Sequence, residues 1–84
     1  MKIKSNIALS ESGFIFNPNT GESFTLNPIG QTLFGLIREG KEYAEIRDYF
    51  MKHFDCEESL FEKDFEDFMH MMTSYQMMEA DEQA

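Results

Sequence analysis

The sequence predicts a small α+β domain in which a three-stranded antiparallel sheet is followed by three helices. Apolar residues alternate in the first third of the chain, and from Ile29 onwards they recur every three or four positions. The 84 residues suffice for one domain, and a hydrophobic share of 42% with 9 phenylalanines suffices for one core. Strands that precede a run of helices are typical of the α+β class.

A hairpin occupies the centre of the predicted sheet. Phe14 and Phe16 alternate with Ile15, which indicates a strand. After it, Pro18 presets a turn, and Gly21 can adopt the positive φ that closes a hairpin with a bulge. The predicted strands cover about residues 3–9, 13–17 and 22–26.

The first helix begins abruptly where the last strand ends. Asn27 can cap free backbone amides, and Pro28 at the first helical position loses no hydrogen bond. Gly40 is the predicted left-handed residue that ends the helix. Gly30 and Gly35 weaken the helix slightly, and we expect both to allow close packing against a neighbour. The core-facing stripe is Ile29, Leu33, Leu36 and Ile37.

Two amphipathic helices follow, at about residues 42–53 and 57–75. The apolar side of the second helix carries Tyr43, Ile46, Phe50 and Phe54. The stripe of the third helix is Phe61, Phe65, Phe68, Met72 and Tyr75, with Met69 and Met71 beside it. The acidic residues 79–84 lack any apolar period and are predicted to be a disordered tail, so the domain covers residues 1–78.

The negative charge of the chain argues against some classes of binding partner. A formal net charge of −9 repels phosphate backbones and anionic membranes, so nucleic acid is not expected as a ligand. No apolar run reaches the roughly 18 residues that a membrane-spanning helix needs. Cys56 is the single cysteine, and the first residues lack the apolar core of a signal peptide, so we predict a reduced, cytoplasmic protein.

The sequence holds no recognisable catalytic or metal-binding constellation. Cys56 follows His53 by three residues, but no third group is evident to orient such a pair. One cysteine and 2 histidines cannot form a closed zinc site with recognisable spacing. We therefore expect no enzyme activity, no metal and no cofactor. The carboxylates of the third helix are interpreted as a solvated face that can also steer a basic segment of a partner, with Asp64 as the first candidate.

Two segments resemble the PqqD-like family of proteins. The stretch "FIFNPNTGESFTLNPIGQTLFGLI" resembles the part of that family in which a hairpin leads into a Leu-Asn-x-x-Gly helix start, here Leu26 to Gly30. The stretch "EGKEYAEIRDYFMKHFDCEESLFEKDFEDFMHMM" resembles the short second helix, the break and the third helix, which bears Asp64 four positions before Phe68 and Met69. The likeness covers about residues 9–78.

This resemblance implies a winged-helix-like domain that recognises ribosomally made peptides and is not itself an enzyme. It implies that the domain binds a precursor or leader peptide and presents it to a modifying enzyme, most plausibly a radical SAM enzyme. The resemblance also nominates the strand from Glu22 to Leu26 as a free sheet edge, with the third helix as the opposite wall. A peptide can add to such an edge through backbone hydrogen bonds while alternate side chains enter pockets beside it.

The predicted peptide-binding residues lie on this edge and on the third helix. Phe24 and Leu26 are expected to point inward, whereas Ser23 and Thr25 offer the edge backbone. Met69 and Met72 are the preferred methionines because flexible thioethers adapt to varied ligands, although both can equally fill the core. The complete set is Glu22, Ser23, Phe24, Thr25, Leu26, Asp64, Phe65, Phe68, Met69 and Met72.

Two other functions stay open at this point. A DNA-binding winged helix shares much of the architecture, but its reading helix would carry many acidic residues against Lys63 alone. A self-associating module, such as a homodimer, would instead bury the wide apolar arc of the third helix against a second copy.

Overall fold

The computed structural model describes residues 2–79 and confirms the predicted α+β order. Three strands come first and three helices follow. The elements are β1 (Ala8–Leu9), β2 (Phe14–Asn17), β3 (Glu22–Thr25), α1 (Pro28–Arg38), α2 (Tyr43–His53) and α3 (Glu58–Ser74). The strands form one antiparallel sheet in the order β1-β2-β3. Residues 80–84 of the predicted tail lie outside the described residues.

The first strand is much shorter than predicted. The sequence indicates a strand over residues 3–9, but β1 is only Ala8–Leu9. The chain turns between Lys4 and Ile7, where the Ile7 N–H donates to the Lys4 carbonyl over 3.1 Å. Ile3 instead forms an isolated antiparallel bridge with Met78, so the beginning of the described chain pairs with its end.

The hairpin between β2 and β3 is held by a buried asparagine. Gly21 has the predicted positive φ of 79° and donates its N–H to the Asn17 carbonyl over 2.8 Å. The Asn17 side chain is fully buried. Its amide nitrogen donates to the Tyr75 carbonyl over 3.0 Å, and its oxygen accepts from the Asn19 N–H over 2.9 Å. The hairpin is therefore tied to the C-terminal end of α3.

The two faces of the sheet differ in an unusual way. Ile15 points into the core and is fully buried, whereas its larger neighbours Phe14 and Phe16 are 51% and 44% exposed on the outer face. Successive side chains of a strand point to opposite faces, so burying Ile15 and Asn17 leaves both phenylalanines outside.

The junction from β3 to α1 is closed by side chains on both sides. The Asn27 side chain accepts from the Gly30 N–H over 2.8 Å, as the predicted cap requires. A Cβ on Gly30 would lie 3.3 Å from the Leu26 side chain, so close packing does explain this glycine. It does not explain Gly35, where an added Cβ would meet no atom within 4 Å beyond the adjoining backbone of its own helix. Gly40 has a φ of 91°, which confirms the predicted helix end.

Helices α2 and α3 pack through aromatic side chains. Phe50 and Phe61 have ring centroids 5.0 Å apart, and Tyr43 meets the edge of Phe65 at 4.9 Å. Burial raises the pKa of Tyr43 above its ordinary value of 10.0, and the carboxylate of Glu62 raises it further. The folded state therefore favours the neutral phenol of Tyr43. The stability that this preference contributes is present below pH 10 and is lost as the pH rises through the raised pKa.

Candidate functional site

Strand β3 is an edge of the sheet, since it pairs with β2 on one side only. The Leu26 N–H donates to the Gly13 carbonyl over 2.8 Å, and in the register Phe24 lies opposite Ile15. In an antiparallel pair, residues that exchange hydrogen bonds alternate with residues that do not. The N–H and C=O groups of Ser23 and Thr25 therefore point away from β2, as predicted.

The end of this edge strand is fixed by its own hydrogen bonds. The Leu26 carbonyl accepts from the Gln31 side chain over 2.9 Å, while its N–H is bonded to Gly13. A Cβ on Gly13 would lie 2.5 Å from the Gln31 amide nitrogen and would displace that side chain, and the φ of 92° at Gly13 itself favours glycine. Because the strand runs straight into a capped helix, the edge is formed before any ligand arrives, and less ordering entropy is lost on binding.

A cleft of about 330 Å³ opens between the end of β3, the first turns of α1 and one side of α3. Its floor is apolar, and its rim on α3 carries two carboxylates. The lining residues are Thr25, Leu26, Asn27, Ile29, Gly30, Leu33, Asp64, Asp67, Phe68 and Met71. An apolar hollow beside an unpaired strand edge is the arrangement that strand addition of a peptide requires.

The α3 residues of the cleft share one side of the helix. Asp64, Phe68 and Met71 follow each other at spacings of four and three, so their side chains lie within about 60° around the axis. Phe68 stands at the boundary, because it lines the cleft and is also part of the core. Leu60 and Tyr75 extend the same side towards the two ends of the helix, and both are exposed.

The structure brings four of the predicted residues to the cleft, namely Thr25, Leu26, Asp64 and Phe68. The others lie on the edge strand or in the core. Glu22 and Ser23 are exposed on β3, and Phe24 is half-buried with its ring centroid 4.5 Å from that of Tyr75. Phe65 is buried against Tyr43.

The preferred methionines do not line the cleft. Met72 is fully buried in the core, and Met69 packs against the core at about 140° from Asp64 around α3. The methionine that lines the cleft is Met71, which lies seven positions after Asp64 and therefore on the same side. Sequence reasoning placed Met71 beside the apolar stripe without giving it a role.

Sequence reasoning also missed the contribution of α1. Ile29, Gly30 and Leu33 form the cleft wall next to Leu26. The signal for them is the Leu26 to Gly30 motif itself, since a helix that starts directly after an edge strand must place its first turn beside that edge. Asp67 was assigned to the solvated face, yet it too borders the cleft.

The electrostatics of the cleft are acidic. Asp67 pairs with Lys63 one turn earlier at 3.3 Å, and both side chains are well exposed. Asp64 takes part in none of the ion pairs found among residues 2–79. Of the described residues that line the cleft, none is basic. A cationic group entering the cleft would therefore meet a free carboxylate at Asp64.

Among residues 2–79, no group of three or more His, Cys, Asp or Glu side chains could hold a metal ion. In the same range no helix is both long and apolar enough to cross a membrane.

Comparisons with known proteins agree with this geometry. Residues 13–77 match the family described as coenzyme PQQ synthesis protein D (PqqD). The fold matches a solved structure described as TbiB1 in complex with the TbiA(beta) leader peptide, with a TM-score of 0.86. The two chains are 23% identical over 99% of this chain and 100% of that one, a likeness that establishes the fold. None of the curated proteins matches the sequence.

Proposed function

The chain belongs to the PqqD family, and from that premise we propose that it is a peptide-recognition domain without catalytic activity of its own. It binds the leader of a ribosomally made precursor peptide and presents that precursor to a modifying enzyme, which we propose is a radical SAM enzyme. The bound segment adds as a fourth strand to β3, and its inward side chains enter the cleft against α3.

One observation carries this proposal: an unpaired and pre-formed strand edge lies directly beside an apolar cleft. Ser23 and Thr25 direct their backbone groups outward, and Thr25 also lines the cleft. Strand addition supplies affinity through these backbone groups and selectivity through the cleft. A protein of the same fold, TbiB1, has a leader peptide bound, which supports the same kind of ligand here.

The two alternatives receive less support from the contacts. The exposed part of α3 carries Glu58, Glu62, Asp64, Glu66 and Asp67, which would repel a DNA duplex. The apolar stripe of α3 is largely buried inside the domain, so it leaves little surface for a second copy.

The binding mode is tested by titrating isotope-labelled protein with the short precursor peptide encoded next to its gene. We expect backbone amide shifts to concentrate in residues 23–26 and 64–72, while amides of α2 on the far side of α3 stay in place. If the folded protein shows no shifts with peptide in large excess, the proposed function is wrong.

Thr25→Pro tests the edge directly. Proline removes the outward N–H of Thr25, and its ring stands where the peptide backbone would lie, so binding should weaken about tenfold or more while the fold persists. Fluorescence anisotropy of a labelled precursor peptide measures the affinity, and the amide spectrum reports the fold.

Thr25→Val is the matched control, since it keeps the N–H and nearly the same shape. Its affinity should equal that of the unchanged protein. Unfolding of Thr25→Pro would mean that this N–H is bonded inside the sheet, and wild-type affinity in a folded Thr25→Pro variant would mean that the peptide binds elsewhere.

The enzyme class has its own test. The enzyme encoded with the precursor peptide is purified without oxygen, and its absorption spectrum reports whether it holds the iron–sulfur cluster that radical SAM chemistry requires. An enzyme without such a cluster would contradict the proposed radical SAM partner but not the proposed peptide binding.

A further inference from the structure

Strand β3 lies beside different parts of α3 along its length. Outside the cleft, the ring of Phe24 lies 4.5 Å from that of Tyr75. Two residues further along β3, Leu26 shares the cleft with Asp64 and Phe68. Strand β3 therefore runs antiparallel to α3. A peptide strand added to β3 would pass these α3 residues in the same order.

The spacing of these α3 residues along the helix axis matches the spacing of side chains on one face of a strand. Residues four apart on a helix, such as Asp64 and Phe68, are separated by about 6 Å along the axis. Side chains on one face of a strand are two residues and about 6.6 Å apart. Consecutive inward side chains of an added strand would thus stand beside consecutive turns of α3.

The chemistry differs between these two turns. The cleft that Phe68 lines also holds the apolar residues Leu26, Leu33 and Met71, together with Asp67, which precedes Phe68 by one position on α3. Asp67 is paired with Lys63, whereas Asp64, one turn before Phe68, offers a carboxylate outside the ion pairs of residues 2–79.

Resting on the proposed function, we infer that the recognised peptide carries a large apolar residue and a lysine or arginine two positions apart on one face of the added strand. The apolar side chain enters the cleft between Leu26 and Phe68, and the basic side chain pairs with Asp64. Asp64 is then a specificity-determining residue, and the opposite arrangement, an acidic residue at that position, is rejected by repulsion.

The size of the effect follows from the exposure of Asp64. An ion pair between exposed side chains contributes little, so the loss of this pair corresponds to about 1.5-fold to fivefold in affinity at low salt. The difference should shrink as the ionic strength rises, because salt screens exposed charges.

The inference is tested by selecting short random peptides displayed on phage against the immobilised full chain. The same selection is carried out on Asp64→Asn, on Glu66→Gln and on Thr25→Pro. Glu66→Gln removes one negative charge from an exposed position on the other side of α3, so it separates the local effect of Asp64 from the effect of net charge.

We expect peptides selected by the unchanged chain and by Glu66→Gln to share an apolar residue and a Lys or Arg two positions apart. Selection on Asp64→Asn should keep the apolar residue and lose the basic one. Enriched peptides without a basic preference, or with the same preference on Asp64→Asn, overturn the inference and leave the proposed function standing. If the unchanged chain enriches no peptides beyond those that Thr25→Pro also enriches, strand addition is wrong and the inference is wrong with it.

Discussion

The two sides of α3 illustrate how one helix can both hold a fold together and line an open cleft. One side buries Phe61 and Met72 in the core, while the other presents Asp64 and Met71 to the cleft. Phe68 lies between the two sides and belongs to both. The sides are separated by less than about 100° around the axis. An apolar stripe at helical spacing therefore does not distinguish core residues from residues that line the cleft, and only the neighbours of each side chain do.

The largest difference between the two sides should appear in stability. Phe61 is 3% exposed and contacts Phe50, whereas the adjacent Leu60 is 56% exposed. Phe61→Ala leaves a cavity between α2 and α3 and should lower the free energy of unfolding by about 3–5 kcal/mol. Urea denaturation measures this value.

Leu60→Ala is the control for this prediction. It removes an apolar side chain from the next position of the same helix and should change the free energy of unfolding by less than about 0.5 kcal/mol. Equal costs for the two variants would show that the two sides of α3 are not divided as described.

A difference of intermediate size, in peptide affinity, is expected between two methionines of α3. Met69 and Met71 are both half-buried against the core, but only Met71 lines the cleft. Their replacement by Ala should cost similar stability, about 1–2 kcal/mol each. Met71→Ala should in addition weaken the binding of the precursor peptide about fivefold, because apolar contact area in the cleft is lost.

Isothermal titration calorimetry on both variants separates these two contributions. The division between the sides of α3 predicts that Met69→Ala binds the peptide as tightly as the unchanged protein. A greater loss of affinity in Met69→Ala than in Met71→Ala would place the peptide on the opposite side of the helix.

The smallest effect concerns the end of α3, where Gln76 has a φ of 62°. The Gln76 N–H donates to the Thr73 carbonyl and the Met77 N–H to that of Met72, which is the same closing pattern that Gly40 provides for α1. Gln76→Gly should relieve the left-handed conformation and raise the free energy of unfolding by up to about 1 kcal/mol. Thermal unfolding followed by circular dichroism detects the change.

The reverse substitution, Gly40→Gln, is the matched control. A Cβ at this position would meet no atom within 4 Å apart from its chain neighbours, so the change tests mainly the backbone conformation. It should destabilise the protein by about 1 kcal/mol. A stabilising Gly40→Gln would contradict the account of both helix ends.

Part of the candidate site can be predicted from local sequence signals. The predicted edge strand and its outward residues Ser23 and Thr25 lie where the hairpin turn and the alternation place them. Asp64 and Phe68 also line the cleft. The cleft positions of Ile29, Leu33 and Met71 could not be predicted in this way, because they depend on how α1 and α3 are rotated against the sheet.

The sequence by itself determined the order of the elements and the ends of the hairpin turn and of α1. A hairpin closed by Gly21, a helix capped by Asn27 and a helix ended by Gly40 are written in residues that are neighbours along the chain, so local sterics and hydrogen bonds decide them. Only the tertiary structure decided that Met72 fills the core and Met71 lines the cleft. The two are adjacent in sequence and chemically identical, and the packing of α3 against the sheet and α2 sets which one turns inward.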